Sequence, residues 1–176
     1  MYEFKDVEIE NAMNEAILYL SLNIKKSSHN KKPVITHSVM VGTTLYNCGY
    51  SLEIVVAGIL HDLIEDTDVT YKDICDKFGK NIANNVFAVS FDNSIVNLED
   101  QTRELFNRID KFGYDAMIIK CADLYCNLPF YNFVYDQKTI NYLIDKYNLF
   151  IIMFDKYLKN ELLYQEYKKR CKNILG

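Results

Sequence analysis

Residues 58–70 read GILHDLIEDTDVT, an apolar run that ends abruptly in His61, Asp62, Glu65, Asp66 and Asp68. Unpaired charge is costly to bury, so such groups are exposed, paired with an opposite charge or bound to a metal. The run from Leu52 to Ile64 has the pattern of a helix, with Ser51 as its N-cap. Residues four apart on a helix lie only roughly 40° apart around the axis. This spacing predicts His61 above Glu65 and Asp62 above Asp66, on neighbouring strips of one helical end.

The segments on either side are also helical in pattern. Residues 8–26 carry Ile9, Ala12, Met13, Ala16, Ile17, Leu20 and Ile24 at helical spacing, before the polar break SSHNKKP at 27–33. A second helix is expected over 35–47, ending near Gly49 as a left-handed cap. TYKD at 70–73 has the form of a capping box that starts a short helix reaching Phe78. Residues 80–90 are rich enough in β-branched and aromatic side chains to permit a strand, and helix is preferred. Further helices are expected over 97–111, 114–128, 137–158 and 159–173. The fold expected is all-α, one domain spanning 1–176, with the helices of 137–173 completing it.

Composition bounds the function. The chain has 176 residues, 49% of them hydrophobic and 25% charged, a balance that suits a globular core. Its formal net charge is −4 and its pI about 5.4, which argues against a nucleic-acid polymer as partner and leaves room for a small polyanion. Five cysteines in no CxxC pair, behind an N-terminus without a signal-peptide pattern, read as reduced thiols of a cytoplasmic protein. Their expected role is as small buried or half-buried apolar residues. No apolar run is long enough to span a membrane.

An imidazole beside a carboxylate offers the mixed nitrogen and oxygen ligation that suits a divalent transition metal. Two residues do not complete a shell, and the chain has only three histidines. His37, in VITHSVMVG, lies among apolar neighbours, and Asp123 interrupts the apolar IIKCADLYCNL. Taken singly, each suits a bland role: a hydrogen-bonded core histidine, or a buried partner of some lysine. Together, His37, His61, Asp62 and Asp123 form a two-histidine, two-carboxylate set with positions left for water and substrate. A metal there polarises a phosphoryl oxygen and acidifies water, and a neighbouring carboxylate such as Glu65 orients that water or takes its proton. Asp66 steers the same water or protonates the leaving oxygen.

The order H…HD…D resembles the signature of HD-domain metal-dependent phosphohydrolases. HDLIEDT, residues 61–67, is similar to the HD-x-x-EDT motif of RelA/SpoT-type guanosine-polyphosphate hydrolases, including the single-domain small alarmone hydrolases. PVITHSVMVGTTL, VTYKDICDKFGKNIANNV and IIKCADLYCNL resemble three further segments of that family, over roughly residues 8–130. The resemblance implies an HD-type bundle of about eight to ten helices. It implies His37, His61, Asp62 and Asp123 as ligands of one metal, usually Mn²⁺, with Fe, Co or Zn as other candidates. It implies Glu65 and Asp66 as the catalytic pair, and Asn127 as a ribose contact. The reaction implied is removal of 3′-pyrophosphate from an alarmone such as ppGpp.

Three departures bear on substrate. SSHNKKP carries Lys31 and Lys32 where the family usually has an arginine-bearing loop, and lysine binds phosphate without arginine's bidentate fork. Val34 stands at the expected tyrosine, and Leu124 stands where a basic residue usually follows the metal aspartate. These leave two alternatives open: a 5′-nucleotidase or other nucleotide phosphohydrolase using the same site, and a non-catalytic nucleotide-binding regulator. Lys31 and Lys32 are candidate phosphate contacts, as are Arg103 and Arg108. The aromatic-rich stretch from Phe130 to Leu158 reads as core more readily than as a base-stacking wall.

Overall fold

The computed structural model describes residues 6–24 and 33–175, and among these it is helical throughout, with no strand. In chain order the helices are α1 (Val7–Asn23), α2 (Val34–Asn47), α3 (Leu52–Leu60), α4 (Leu63–Asp66), α5 (Tyr71–Phe78), α6 (Lys80–Val89), α7 (Leu98–Phe112) and α8 (Tyr114–Asn127). A 3-10 helix (Leu128–Phe133), α9 (Gln137–Leu158) and α10 (Leu162–Leu175) complete it. Residues 80–90 are thus helical as preferred, and α9 keeps its expected bounds. Lys31, Lys32 and His29 lie outside the described residues, as does the expected end of the first helix at Lys26.

Local chemistry sets most of these ends. Asp6 caps α1 by accepting from the backbone N–H groups of Glu8 and Ile9. Thr70 and Asp73 form both halves of the capping box that opens α5. Ser51 stands at the N-cap of α3, but its side chain makes no cap bond. Gly49 at φ +81° ends the α2 turn in the left-handed region, where a β-carbon is disfavoured.

Two helices lie at the centre. Every residue of α3 from Ile54 to Leu60 is buried, and so is every residue of α8 from Ala116 to Leu124. A helix apolar on all sides must be covered on all sides. α3 is flanked by α1, α2, α6 and α8, while α8 is also covered by α7 and α10. The C-terminal aromatics close the core at one end: Phe150 packs its ring 4.8 Å from Phe154 and 5.5 Å from Phe106. Cys121, Cys126 and Cys171 are buried and Cys75 is half-buried, as expected for small apolar residues, whereas Cys48 is exposed. Among the described residues no helix is long and apolar enough to cross a membrane.

α2 approaches α3 closely because glycines face each other there. A β-carbon at Gly42 would stand 2.2 Å from Ile59 Cγ1, and one at Gly58 would stand 2.4 Å from Leu45 Cδ1. Leu45 Cδ1 is the movable tip of a side chain, while Ile59 Cγ1 lies next to the branch point. Gly42→Ala is therefore expected to destabilise the fold by about 1–3 kcal/mol, the usual range for overpacking, and Gly58→Ala by less. Urea denaturation of the two variants checks this ordering; equal stability for Gly42→Ala and wild type would show that the helices can separate without cost.

Candidate metal centre

α3 does not run on through Ile64 as its pattern predicts. It stops at Leu60, and a turn at His61 and Asp62 precedes the single-turn α4. The buried Ser90 hydroxyl reaches into this turn and lies 3.2 Å from the His61 carbonyl, a side-chain insertion of the kind that interrupts helices. The turn re-aims the motif. His61 faces α2 and α8, whereas the Glu65 carboxylate faces the α6–α7 connection, where Oε2 accepts from the Phe91 N–H at 3.0 Å. His61 and Glu65 thus meet different elements, while Asp62 and Asp66 keep the helical spacing through the Asp66 N–H to the Asp62 carbonyl.

His37, from the first turns of α2, meets Asp123, from the last turns of α8, with Nε2 3.0 Å from Oδ1. His61 Nε2 lies 3.5 Å from the same oxygen and 2.9 Å from Asp62 Oδ1. One donor atom from each of His37, His61 and Asp123 falls within 4.8 Å of the others, and all three residues are buried. Asp62 is 8% exposed and stands beside His61. The structure thus gathers His37 from α2, Asp123 from α8 and His61 from the turn after α3, with Asp62 at the side of His61.

His61 is oriented from behind. Its Nδ1 lies 2.8 Å from the Gly58 carbonyl, so Nδ1 carries the proton and donates. Such a backbone contact fixes the ring tautomer and leaves Nε2 as the coordinating atom. Nε2 faces two carboxylates without hydrogen-bond geometry to either. A divalent cation fits this set: two imidazole nitrogens and two carboxylates, buried, with more negative charge than the protein's own cation offsets.

That cation is Lys120, which the sequence analysis missed. It is 3% exposed, and its Nζ lies 2.8 Å from Asp123 Oδ2 and 5.0 Å from the centre of the Phe91 ring. Burial alone would lower its pKa, but Asp123 and Glu65 outweigh burial and hold it above the ordinary lysine value. Burial also works against ionised Asp123, yet Lys120, His37 and His61 keep its pKa well below the usual carboxylate range. Glu65 is raised above the ordinary value, by burial first and then by the nearby Asp62 charge, with Lys120 and the Phe91 N–H opposing. Leu124 is fully buried in the core, and the positive charge at the cluster comes from Lys120, one turn earlier.

The other candidates fall in different places. Asn127 donates to Asp123 Oδ1 at 2.6 Å, which puts it at the cluster. Asp66 is exposed, with its backbone N–H bonded to the Asp62 carbonyl. Arg103 lines a cleft of about 270 Å³ between α7 and α9, together with Tyr142 and Lys146. Arg108 turns instead toward the Ser90 carbonyl and Glu104.

Residues 16–129, well over half of the chain, match the HD domain family. The chain belongs to the HD-domain family. Relatives of this HD-domain chain include the guanosine-3′,5′-bis(diphosphate) 3′-pyrophosphohydrolase MESH1 of Danio rerio, 28% identical over 128 residues, which are 67% of this chain and 71% of that protein. The bifunctional (p)ppGpp synthase/hydrolase SpoT of Escherichia coli K12 is 44% identical over 59 residues, 34% of this chain and only 8% of that protein. The solved structure of a metazoan orthologue of SpoT that hydrolyses ppGpp superposes with a TM-score of 0.75 at 20% identity, covering 98% of both chains. At that identity the superposition establishes the HD-type helical fold. The family and the His–His–Asp cluster together imply a divalent metal in this chain.

The cluster predicts a proton-coupled metal affinity. Burial lowers the His61 pKa, but the carboxylates of Asp62 and Asp123 outweigh it and raise it to about 10 when no metal is present. A ligating imidazole must be neutral, so metal displaces that proton. Below about pH 10 the apparent affinity is expected to rise about tenfold per pH unit, with about one proton released per ion bound. Calorimetric titrations in buffers of different ionisation enthalpy check it; zero proton release at pH 7 would mean that His61 is neutral before metal arrives.

Proposed function

We propose that this chain is a metal-dependent phosphohydrolase that removes the 3′-pyrophosphate from a guanosine polyphosphate such as ppGpp. The observation that carries the reading is the buried gathering of His37, His61 and Asp123 donor atoms within 4.8 Å, with the Glu65 charge acting on the same Lys120 that pairs with Asp123. The relatives named above support the substrate, since both carry guanosine-polyphosphate hydrolysis in their names. The metal proposed is Mn²⁺, held by His37, His61, Asp62 and Asp123 in one domain over residues 1–176. The substrate is a small phosphorylated nucleotide, and the compartment proposed is the cytoplasm.

A divalent cation supplies positive charge against a phosphoryl oxygen and acidifies water at neutral pH. The protein's own groups do the rest. Glu65 is proposed to accept the proton of the attacking water, a role supported by the Phe91 N–H on one of its oxygens and by a pKa raised by burial. Asp66, exposed one residue further on, is proposed to steer that water or protonate the leaving oxygen. Asn127 orients Asp123 through its amide N–H, and its carbonyl oxygen can accept from a ribose hydroxyl. Lys120 keeps Asp123 ionised, and Lys31 and Lys32 are proposed to meet the outer phosphates.

Turnover on ppGpp, pppGpp, ppApp and nucleoside monophosphates, each with Mn²⁺ and with chelator, tests the proposal. Pyrophosphate and GDP from ppGpp, only with metal, is the expected result. Orthophosphate from monophosphates with ppGpp untouched would replace it with a nucleotidase, and silence throughout would favour a regulator. The paired substitution Glu65→Gln with Asp66→Asn is expected to cut turnover by about 10²-fold or more while metal content and thermal stability persist. Undiminished turnover would remove both carboxylates from the mechanism.

A further inference from the structure

The connection between α6 and α7 grips the motif at three points. The Ser90 hydroxyl lies 2.8 Å from the Val86 carbonyl and 3.2 Å from that of His61, so it spans both. The Asn93 side-chain amide donates to the Glu65 carbonyl at 3.1 Å. The Phe91 N–H donates to the Glu65 carboxylate at 3.0 Å. Ser90 itself is 2% exposed.

Behind this strap stands Arg108. Its Nη2 donates to the Ser90 carbonyl and lies 3.2 Å from Glu104 Oε2. Its guanidinium carbon lies 5.0 Å from the centre of the Phe87 ring. The Ser90 carbonyl and the Phe91 N–H belong to one peptide unit. That unit is planar, so a donor that fixes its oxygen fixes the direction of its N–H. A cation on the oxygen also polarises the amide and strengthens the N–H as a donor. One peptide thus links a guanidinium on one side to the Glu65 carboxylate on the other.

We infer that Arg108 is a positioning residue, acting through the Ser90–Phe91 peptide to hold the Glu65 carboxylate in its working orientation. The inference rests on the role proposed for Glu65 above. It also separates Arg108 from a direct phosphate contact, because its guanidinium is committed to Ser90, Glu104 and the Phe87 face. Lysine at this position keeps the charge, but it lacks the planar guanidinium that lies over the Phe87 ring while Nη2 meets Ser90 and Glu104.

The test is a double-mutant cycle on the Mn²⁺-loaded protein with ppGpp, using Arg108→Met, Arg108→Lys, Glu65→Gln and the Arg108→Met/Glu65→Gln pair. Arg108→Met is expected to lower kcat about 10–100-fold with KM within about twofold, and Arg108→Lys to restore part of the loss. In the Glu65→Gln background the same change is expected to alter kcat by less than about twofold, since both act through one bond. Losses that multiply in the pair, or an effect confined to KM, would overturn the inference while leaving the hydrolase reading intact. If Arg108→Met fails to fold, Arg108→Gln takes its place in the cycle. The Phe91 amide proton provides a readout that needs no turnover: its NMR resonance should shift upfield in both Arg108→Met and Glu65→Gln. An unmoved Phe91 amide in the arginine variant would overturn the inference even if wild type were silent on every nucleotide.

Discussion

A carboxylate buried among helices has to be surrounded by donors, and Asp123 collects them from near and far. Lys120 and Asn127 come from its own helix, at 2.8 and 2.6 Å, and His37 comes from α2, at 3.0 Å. Removing one partner of a buried charge typically costs about 3–5 kcal/mol, because the remaining charge is left uncompensated. The crossing of α2 over α8 is therefore fixed by this network as firmly as by apolar contact. The end of α3 is drawn to the same place, since His61 faces the same oxygen.

The turn at His61 and Asp62 divides a seven-residue motif between two surroundings. Its first two side chains join the cluster, while Glu65 leans toward the α6–α7 connection and Asp66 reaches solvent. Lys120 feels the charge of both Asp123 and Glu65. The carboxylate proposed to move a proton is thus kept separate from those proposed to hold the ion, and the same ammonium offsets both.

The helices were legible because their signals are local. Apolar periodicity, the Thr70–Asp73 box and the left-handed Gly49 each act within a few residues, and α5 and α9 lie where these put them. The His37, His61 and Asp123 cluster was legible for a different reason: the sequence has only three histidines, and the chain order of the motifs narrows the choice. Lys120 was within reach but overlooked. Residues 120, 123 and 127 share one helical face, whereas Leu124, where a basic residue usually follows the metal aspartate, is turned into the core by a single step around the axis. Ser90, Phe91 and Arg108 carried no such signal. Their contacts are a backbone N–H and a hydroxyl that meet Glu65 and the turn after α3, and a carbonyl that meets Arg108 of α7, all of which depend on α6 packing against α3. The turn at His61 has a partner of the same kind, because the hydroxyl that meets its carbonyl lies 29 residues further along the chain.

The partners His37 and Asp123 stand 86 residues apart in sequence. Bringing such distant points together carries an entropic cost of loop closure that grows only slowly with length. An ion gripping both would tie that large loop shut, acting as a removable clasp between the second and eighth helices. Since it binds the folded chain and not the open one, it adds to stability in proportion to the logarithm of its free concentration. Metal supply would then govern how long the folded chain lasts as well as how fast it works.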